Sequence, residues 1–73
     1  MLKRVPKIGS VLYYVVKDFD GKGLYKVKVS AIRDGYYFTV GLDKELKDVH
    51  LVFEIDESNL FNDLTEAKKF YNN

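Results

Sequence analysis

LYKVKVSAIRDGYYFTV, from Leu24 to Val40, reads as two strands joined by a tight turn. From Leu24 to Ile32, Tyr25, Val27, Val29 and Ala31 alternate with Lys26, Lys28 and Ser30. A period of two puts the first set on one face of a strand and the second on the other, so one side is buried and one is wet. Asp34-Gly35 then separates this strand from Tyr36–Val40, and an Asp-Gly pair between two strand-like runs tolerates the positive φ angles of a tight hairpin. The predicted register sets Arg33 opposite Tyr36. On the third strand Tyr36, Phe38 and Val40 share a face, with Tyr37 and Thr39 opposite.

Working toward the N-terminus, Asp18–Gly23 holds Asp20-Gly21, a second reversal signal. Before it, Ser10–Val16 (SVLYYVV) is β-branched and aromatic with apolar groups on both alternating faces, which predicts a central strand covered on both sides. Residues 1–9 carry the only proline, Pro6, and the cations Lys3, Arg4 and Lys7, and read as a basic arm. Toward the C-terminus, Gly41–Asp48 is a charged connection. Its Leu42, Leu46 and Val49 fall at helical spacing, so one turn of helix is allowed, but a loop is the reading preferred. Val49–Ile55 alternates again and predicts a fourth strand, with Val49, Leu51, Phe53 and Ile55 on one side. After the polar turn Asp56–Asn59, Leu60-Phe61 predicts a fifth edge strand or a plug for the core.

Asp63 is a preferred N-cap, and Glu66 three residues later completes a capping-box pattern. A helix over 63–71 follows, with Leu64, Ala67 and Phe70 or Tyr71 on one face and Lys68 and Lys69 near its end. A helix this short is not stable alone in water, so it has to dock on the sheet.

With 73 residues the chain has room for one domain and one core. Its division is an arm (1–9), a β region (10–61) and a helix (63–71). It has no cysteine and one histidine, so disulfides and a cysteine or histidine metal staple are ruled out, and packing by six Tyr and five Phe has to suffice. The fold expected is mainly β: a small antiparallel SH3-like barrel of four to five strands with a short C-terminal helix, an arrangement that limits open strand edges.

Two segments bear on this. Lys7-Ile8-Gly9-Ser10-Val11-Leu12-Tyr13-Tyr14-Val15 resembles the opening of a group of small SH3-like proteins of unknown function from Gram-positive bacteria and their phages, and Asn59–Ala67 (NLFNDLTEA) resembles that group's ending, where the cap residue starts the last helix. Asp63 stands in place of the usual Thr there, and Thr65 in place of the first Glu. The resemblance covers the ends and not the middle. It implies the fold and a phage or mobile-element origin, and no activity.

The formal charge of +1 conceals an asymmetry: residues 1–40 carry eight Lys or Arg against three Asp, and residues 41–73 four Lys against eight Asp or Glu. Such a bipolar chain either offers a basic face to nucleic acid or pairs its poles within or between molecules. No apolar run follows the basic residues of the arm, so neither signal peptide nor membrane span is expected, and the protein is placed in the cytoplasm.

Catalytic patterns do not assemble. Ser10, Ser30 and Ser58 have only His50 as a base, and His50 sits in mid-strand opposite the Val49/Leu51 face. Asp18, Asp20 and Gly23 imitate the start of a calcium loop, but Lys22 and Val29 occupy two ligand positions, so the residues are a hairpin turn. The remaining carboxylates read as a solvated rim, and the glycines are spread among turns. No enzyme activity, cofactor or metal is expected. The residues with most content are basic and aromatic: Lys26 and Lys28 on the wet strand face, Arg33 at the turn, Arg4 and Lys7 on the arm, and Tyr14 and Tyr37 near by. The leading expectation is a binding module for a protein partner, acting as a monomer or weak dimer, through an aromatic groove or an open strand edge. The alternative is a nucleic-acid-binding domain that uses this basic and aromatic face of the first half, as small barrels bind single strands with bases stacked on rings and cations along the phosphates.

Overall fold

The computed structural model describes residues 2–73, so the first residue of the expected arm lies outside the described part. The elements are β1 (Val11–Asp18), β2 (Gly21–Arg33), β3 (Tyr36–Gly41), β4 (His50–Glu54), β5 (Leu60–Phe61) and α1 (Leu64–Asn72). The five strands form one antiparallel sheet in the order β4-β3-β2-β1-β5.

The shape follows from how β2 divides its partners. Its first part, from Gly21 to Lys28, pairs with β1, and its second, from Val27 to Arg33, pairs with β3. Only Val27 and Lys28 are paired on both sides, so two three-stranded ribbons meet in one long strand. The sheet curls there, and Leu12 and Leu60 from one ribbon pack with Tyr37 and Phe53 from the other, around Val27 and Val29. Across the curl, the Tyr14 ring meets Phe53 edge to face at 4.8 Å. The curl stops short of a barrel: β4 and β5 are both sheet edges, and β5 is two residues long, both paired to β1.

Strand β1 is covered on both faces, as its doubly apolar sequence requires. Leu12 and Tyr14 turn into the curl, while Val15 and Tyr13 join Phe61, Ala67, Phe70 and Tyr71 under the helix. The two-residue β5 contributes to both layers, with Leu60 inside and Phe61 under α1.

Three local expectations are corrected. The alternation in β2 breaks at a bulge between Val29 and Ala31, so that Ile32 instead of Ala31 packs on the core. Ser30 is the extra residue, and its hydroxyl donates to the Phe38 carbonyl at 3.0 Å. The first hairpin turns at Phe19-Asp20, one residue earlier than expected, because Asp18 pairs with Gly21 and its carboxylate accepts the Asp20 N–H at 2.9 Å. The helix begins after Asp63 as expected, but the Asp63 side chain makes no cap. Asp63 and Glu66 turn to the arm instead, with Arg4 at 3.2 Å and Lys3 at 3.1 Å.

The second hairpin has the predicted register, Arg33 opposite Tyr36, and Asp34 (φ 54°) and Gly35 (φ 83°) supply the left-handed pair its turn needs. On β3 the core side is that of Tyr37 and Thr39, 2% and 1% exposed, since these stand beside Phe53 and Leu51 of β4 and Ile32 and Val29 of β2. The buried Thr39 hydroxyl is satisfied by the Leu51 carbonyl at 2.9 Å. Residues 42–49 form a loop, as expected, while Gly41, expected to start it, ends β3. The loop is closed so tightly over Gly41 that a Cβ there would clash with the Leu46 carbonyl oxygen.

Candidate interaction surface

The seven residues singled out from sequence separate into three places. Lys26, Lys28 and Arg33 project from the outer side of β2 and are exposed. Tyr37 is in the core, and Tyr14 is half-buried between Tyr25 and Phe53. These two rings therefore offer no stacking platform beside the lysines. The reason is the pleat: residues one apart point to opposite faces, so the tyrosines inside the curl and the lysines outside it are separated by the sheet itself.

Arg4 and Lys7 lie on the arm, which runs to the helix and not across the lysine face. Asn62 holds the arm: its Oδ1 accepts the N–H groups of Lys3 at 2.7 Å and Arg4 at 2.9 Å, and its Nδ2 donates to the Arg4 carbonyl at 3.1 Å. The ammonium of Lys3 donates to Glu66 and, through that hydrogen bond first and its charge second, keeps the carboxyl below its ordinary pKa. Lys7 is exposed, and its N–H donates to the Ser10 hydroxyl at 3.0 Å.

Two further cations are used at the other end of the helix. Lys17 and Lys22 face one another across β1 and β2, a like-charge pairing that costs stability unless something negative lies between them. The helix C-terminus fills that role. Lys17 donates to the carbonyls of Phe70 and Asn73, both at 2.9 Å, and Lys22 to that of Tyr71 at 2.9 Å, with the ammonium groups over the Phe70 and Tyr71 rings. The basic first half thus spends Lys3, Arg4, Lys17 and Lys22 on the acidic start and carbonyl end of α1, so the two poles meet within one molecule.

What remains on the outside of β2, β3 and β4 is a three-row surface. Cross-strand partners set its rows: Lys28, Val40 and His50; then Ala31, Phe38 and Val52; then Arg33, Tyr36 and Glu54. The Arg33 guanidinium lies 4.8 Å from the centre of the Phe38 ring. Phe38 and Val40 are half-buried, and Val52 is 55% exposed. The candidate set held only Lys28 and Arg33 of these nine; it lacked the polar His50 and Glu54, Tyr36, and the apolar Ala31, Phe38, Val40 and Val52. The signal for Val52 is an apolar residue in the wet phase of an alternating strand. Phe38 and Val40 had none, because both faces of β3 are apolar and only the partner strands decide which is buried.

This surface ends at an open strand. Ile55 donates its N–H to the Gly35 carbonyl at 3.0 Å and Gly41 its N–H to the Val49 carbonyl at 2.9 Å. These bonds fix the phase of the β3–β4 ladder: Leu51 and Phe53 point their backbone groups at β3, while His50, Val52 and Glu54 point theirs away from it. Among the described residues, no other strand pairs with β4 on that side. Natural edges are guarded by charged side chains, Pro, bulges or extreme shortness; HLVFE has one such guard, Glu54 at its end, and no Lys, Pro or bulge within it.

Elsewhere, Phe19 is fully exposed at the tip of the first hairpin. A shallow cleft of about 430 Å³ lies between the arm and β1, lined by Arg4, Pro6, Lys7 and Ser10 among others. Among the described residues, no cluster of His, Asp and Glu forms a metal site, and no helix is long and apolar enough to cross a membrane. No family model, curated protein or solved structure matches the chain.

Proposed function

We propose that the chain is a small binding module that takes an extended segment of a partner protein along β4, adding a strand to the sheet beside the Phe38, Val40 and Val52 surface. The observation that carries this is the row of outward backbone groups at His50, Val52 and Glu54, next to an exposed Val52. Main-chain hydrogen bonds along such an edge supply affinity, and alternate side chains supply specificity. The SH3-like reading belongs with this proposal. It is supported by the strand order β4-β3-β2-β1-β5, by β2 shared between two ribbons, and by the segments Lys7–Val15 and Asn59–Ala67.

The test is selection from a random dodecapeptide library, followed by amide chemical-shift mapping of the enriched peptides on the labelled domain. Enriched peptides should shift the His50, Val52 and Glu54 amides, and Val52→Pro should abolish binding while leaving the domain folded. Proline at Val52 removes only an outward N–H, so the β3–β4 ladder is untouched. Peptides that bind the variant as well as the wild type, or that map to the arm or the first hairpin, refute the proposal.

A second reading, single-stranded nucleic acid, is favoured by one observation: Lys28 and Arg33 flank Phe38 on this same surface. A dT12 titration at low salt addresses it. Binding that weakens steeply with salt and shifts the Tyr36 and Phe38 signals supports it, and no binding at tens of micromolar excludes it.

A further inference from the structure

Resting on the reading of β4 as a binding edge, we infer that one segment this edge accepts is β4 of a second copy, paired antiparallel about a two-fold axis through Val52. The phase of the β4 edge sets the pairing. The residues whose backbone groups face outward are His50, Val52 and Glu54, a set symmetric about Val52. Two copies turned by 180° therefore meet donor to acceptor, with Val52 opposite Val52 and His50 opposite Glu54 of the other copy. An axis through Leu51 or Phe53 also keeps the phase, but it pairs only two of the three outward residues of each copy with one another and sets Val52 against His50 or Glu54; the axis through Val52 pairs all three.

Side chains agree with the backbone. All three project on the outer face, so the central contact is a pair of β-branched valines, and on either side an imidazole meets a carboxylate. An imidazole that can donate an N–H to a carboxylate and a β-branched cross-strand pair are both favourable contacts, and here one register supplies both. The Val52 pair exchanges two N–H···O=C bonds. Each flanking pair adds at least one, from the Glu54 N–H to the His50 carbonyl; the Glu54 carbonyl already accepts the Glu57 N–H at 3.1 Å. The two sheets join into one, and the Phe38 and Val52 surfaces of the two copies become continuous.

The contact is one short strand per copy, below the roughly 1,200 Å² of a standard interface, so the dimer is weak, with Kd on the order of 100 μM to 1 mM. Sedimentation of the wild-type chain from about 10 μM to 2 mM should show a reversible monomer–dimer equilibrium, with concentration-dependent shifts at the His50, Val52 and Glu54 amides. His50→Glu sets two carboxylates against each other twice per dimer and should weaken association by roughly tenfold, and Glu54→Lys, which removes the acceptor that the imidazole faces, should weaken it as well. The double variant His50→Glu/Glu54→Lys sets a carboxylate against an ammonium on both sides of the axis and should restore association, a rescue that only this register gives.

A wild-type chain monomeric to 2 mM overturns the inference. So does a dimer unaffected by Val52→Pro, or one whose charge variants are additive without rescue. Library peptides that bind in a Val52→Pro-sensitive manner to a chain that stays monomeric would leave the edge reading intact while the self-pairing falls. Failure of both assays removes both.

Discussion

Replacing Asn62 by alanine should release the N-terminal arm, and the size of the effect follows from what one amide side chain does. Its oxygen accepts two backbone N–H groups and its nitrogen donates to one carbonyl, at 2.7, 2.9 and 3.1 Å. A net 0.5–1.5 kcal/mol per hydrogen bond gives a gross loss of about 1.5–4.5 kcal/mol. The low end applies, because the freed arm groups reach water and the released residues recover backbone entropy. A net loss of about 1–2 kcal/mol is expected. The whole domain has on the order of 4–11 kcal/mol by its length, so this is a readily measured fraction. Urea denaturation should show the midpoint falling at nearly constant m, and the Lys3 and Arg4 amides should lose their protection against hydrogen exchange. Asn62→Asp provides the control: it keeps both acceptor contacts, loses the donor, and sets a carboxylate oxygen against the Arg4 carbonyl, so its loss should be intermediate. An Asn62→Ala protein within about 0.3 kcal/mol of wild type, with the Lys3 and Arg4 amides still protected, would refute the account of how the arm is held.

Further outcomes test other parts of the structure. Lys3 depresses the Glu66 pKa in the folded state, so the unfolded chain takes up that proton first; the stabilisation is complete above the ordinary carboxylate range and is lost as pH falls through the folded value. Lys3→Met should therefore raise the Glu66 midpoint in an NMR titration, and identical midpoints would contradict the pairing. Leu60→Ala should cost about 2–5 kcal/mol in chemical denaturation, since Leu60 is fully buried between the ribbons. Thr39→Val should stay within about 1 kcal/mol of wild type, because the Leu51 carbonyl keeps its place in the ladder when the hydroxyl is removed. Gly41→Ala has to displace the Leu46 backbone and should cost about 1–3 kcal/mol or more; calorimetry showing an unchanged Tm would mean that the loop is not packed as described.

The positions of the elements could be read in the chain because they rest on local rules. Alternation located β2 and β4, runs of β-branched and aromatic residues located β1 and β3, Asp34-Gly35 fixed a hairpin register, and Asp63 marked the helix start. The candidate site was less legible. Tyr14 and Tyr37 were grouped with Lys26, Lys28 and Arg33 by nearness in sequence, but the pleat sends them to opposite sides of the sheet. Arg4 looked available because nothing local shows that Asp63, 59 positions later, lies beside it.

Local rules along the chain were enough to foresee a mainly β arrangement with a docked C-terminal helix, because strand period, turn chemistry and helix capping act over a few residues. Packing between distant segments set which side of β3 is buried, where the β2 bulge shifts the alternation, which lysines hold the helix, and that β4 is left as an open edge. Those outcomes depend on contacts between segments distant along the chain. A stretch with both faces apolar carries no local sign of which one its neighbours will cover.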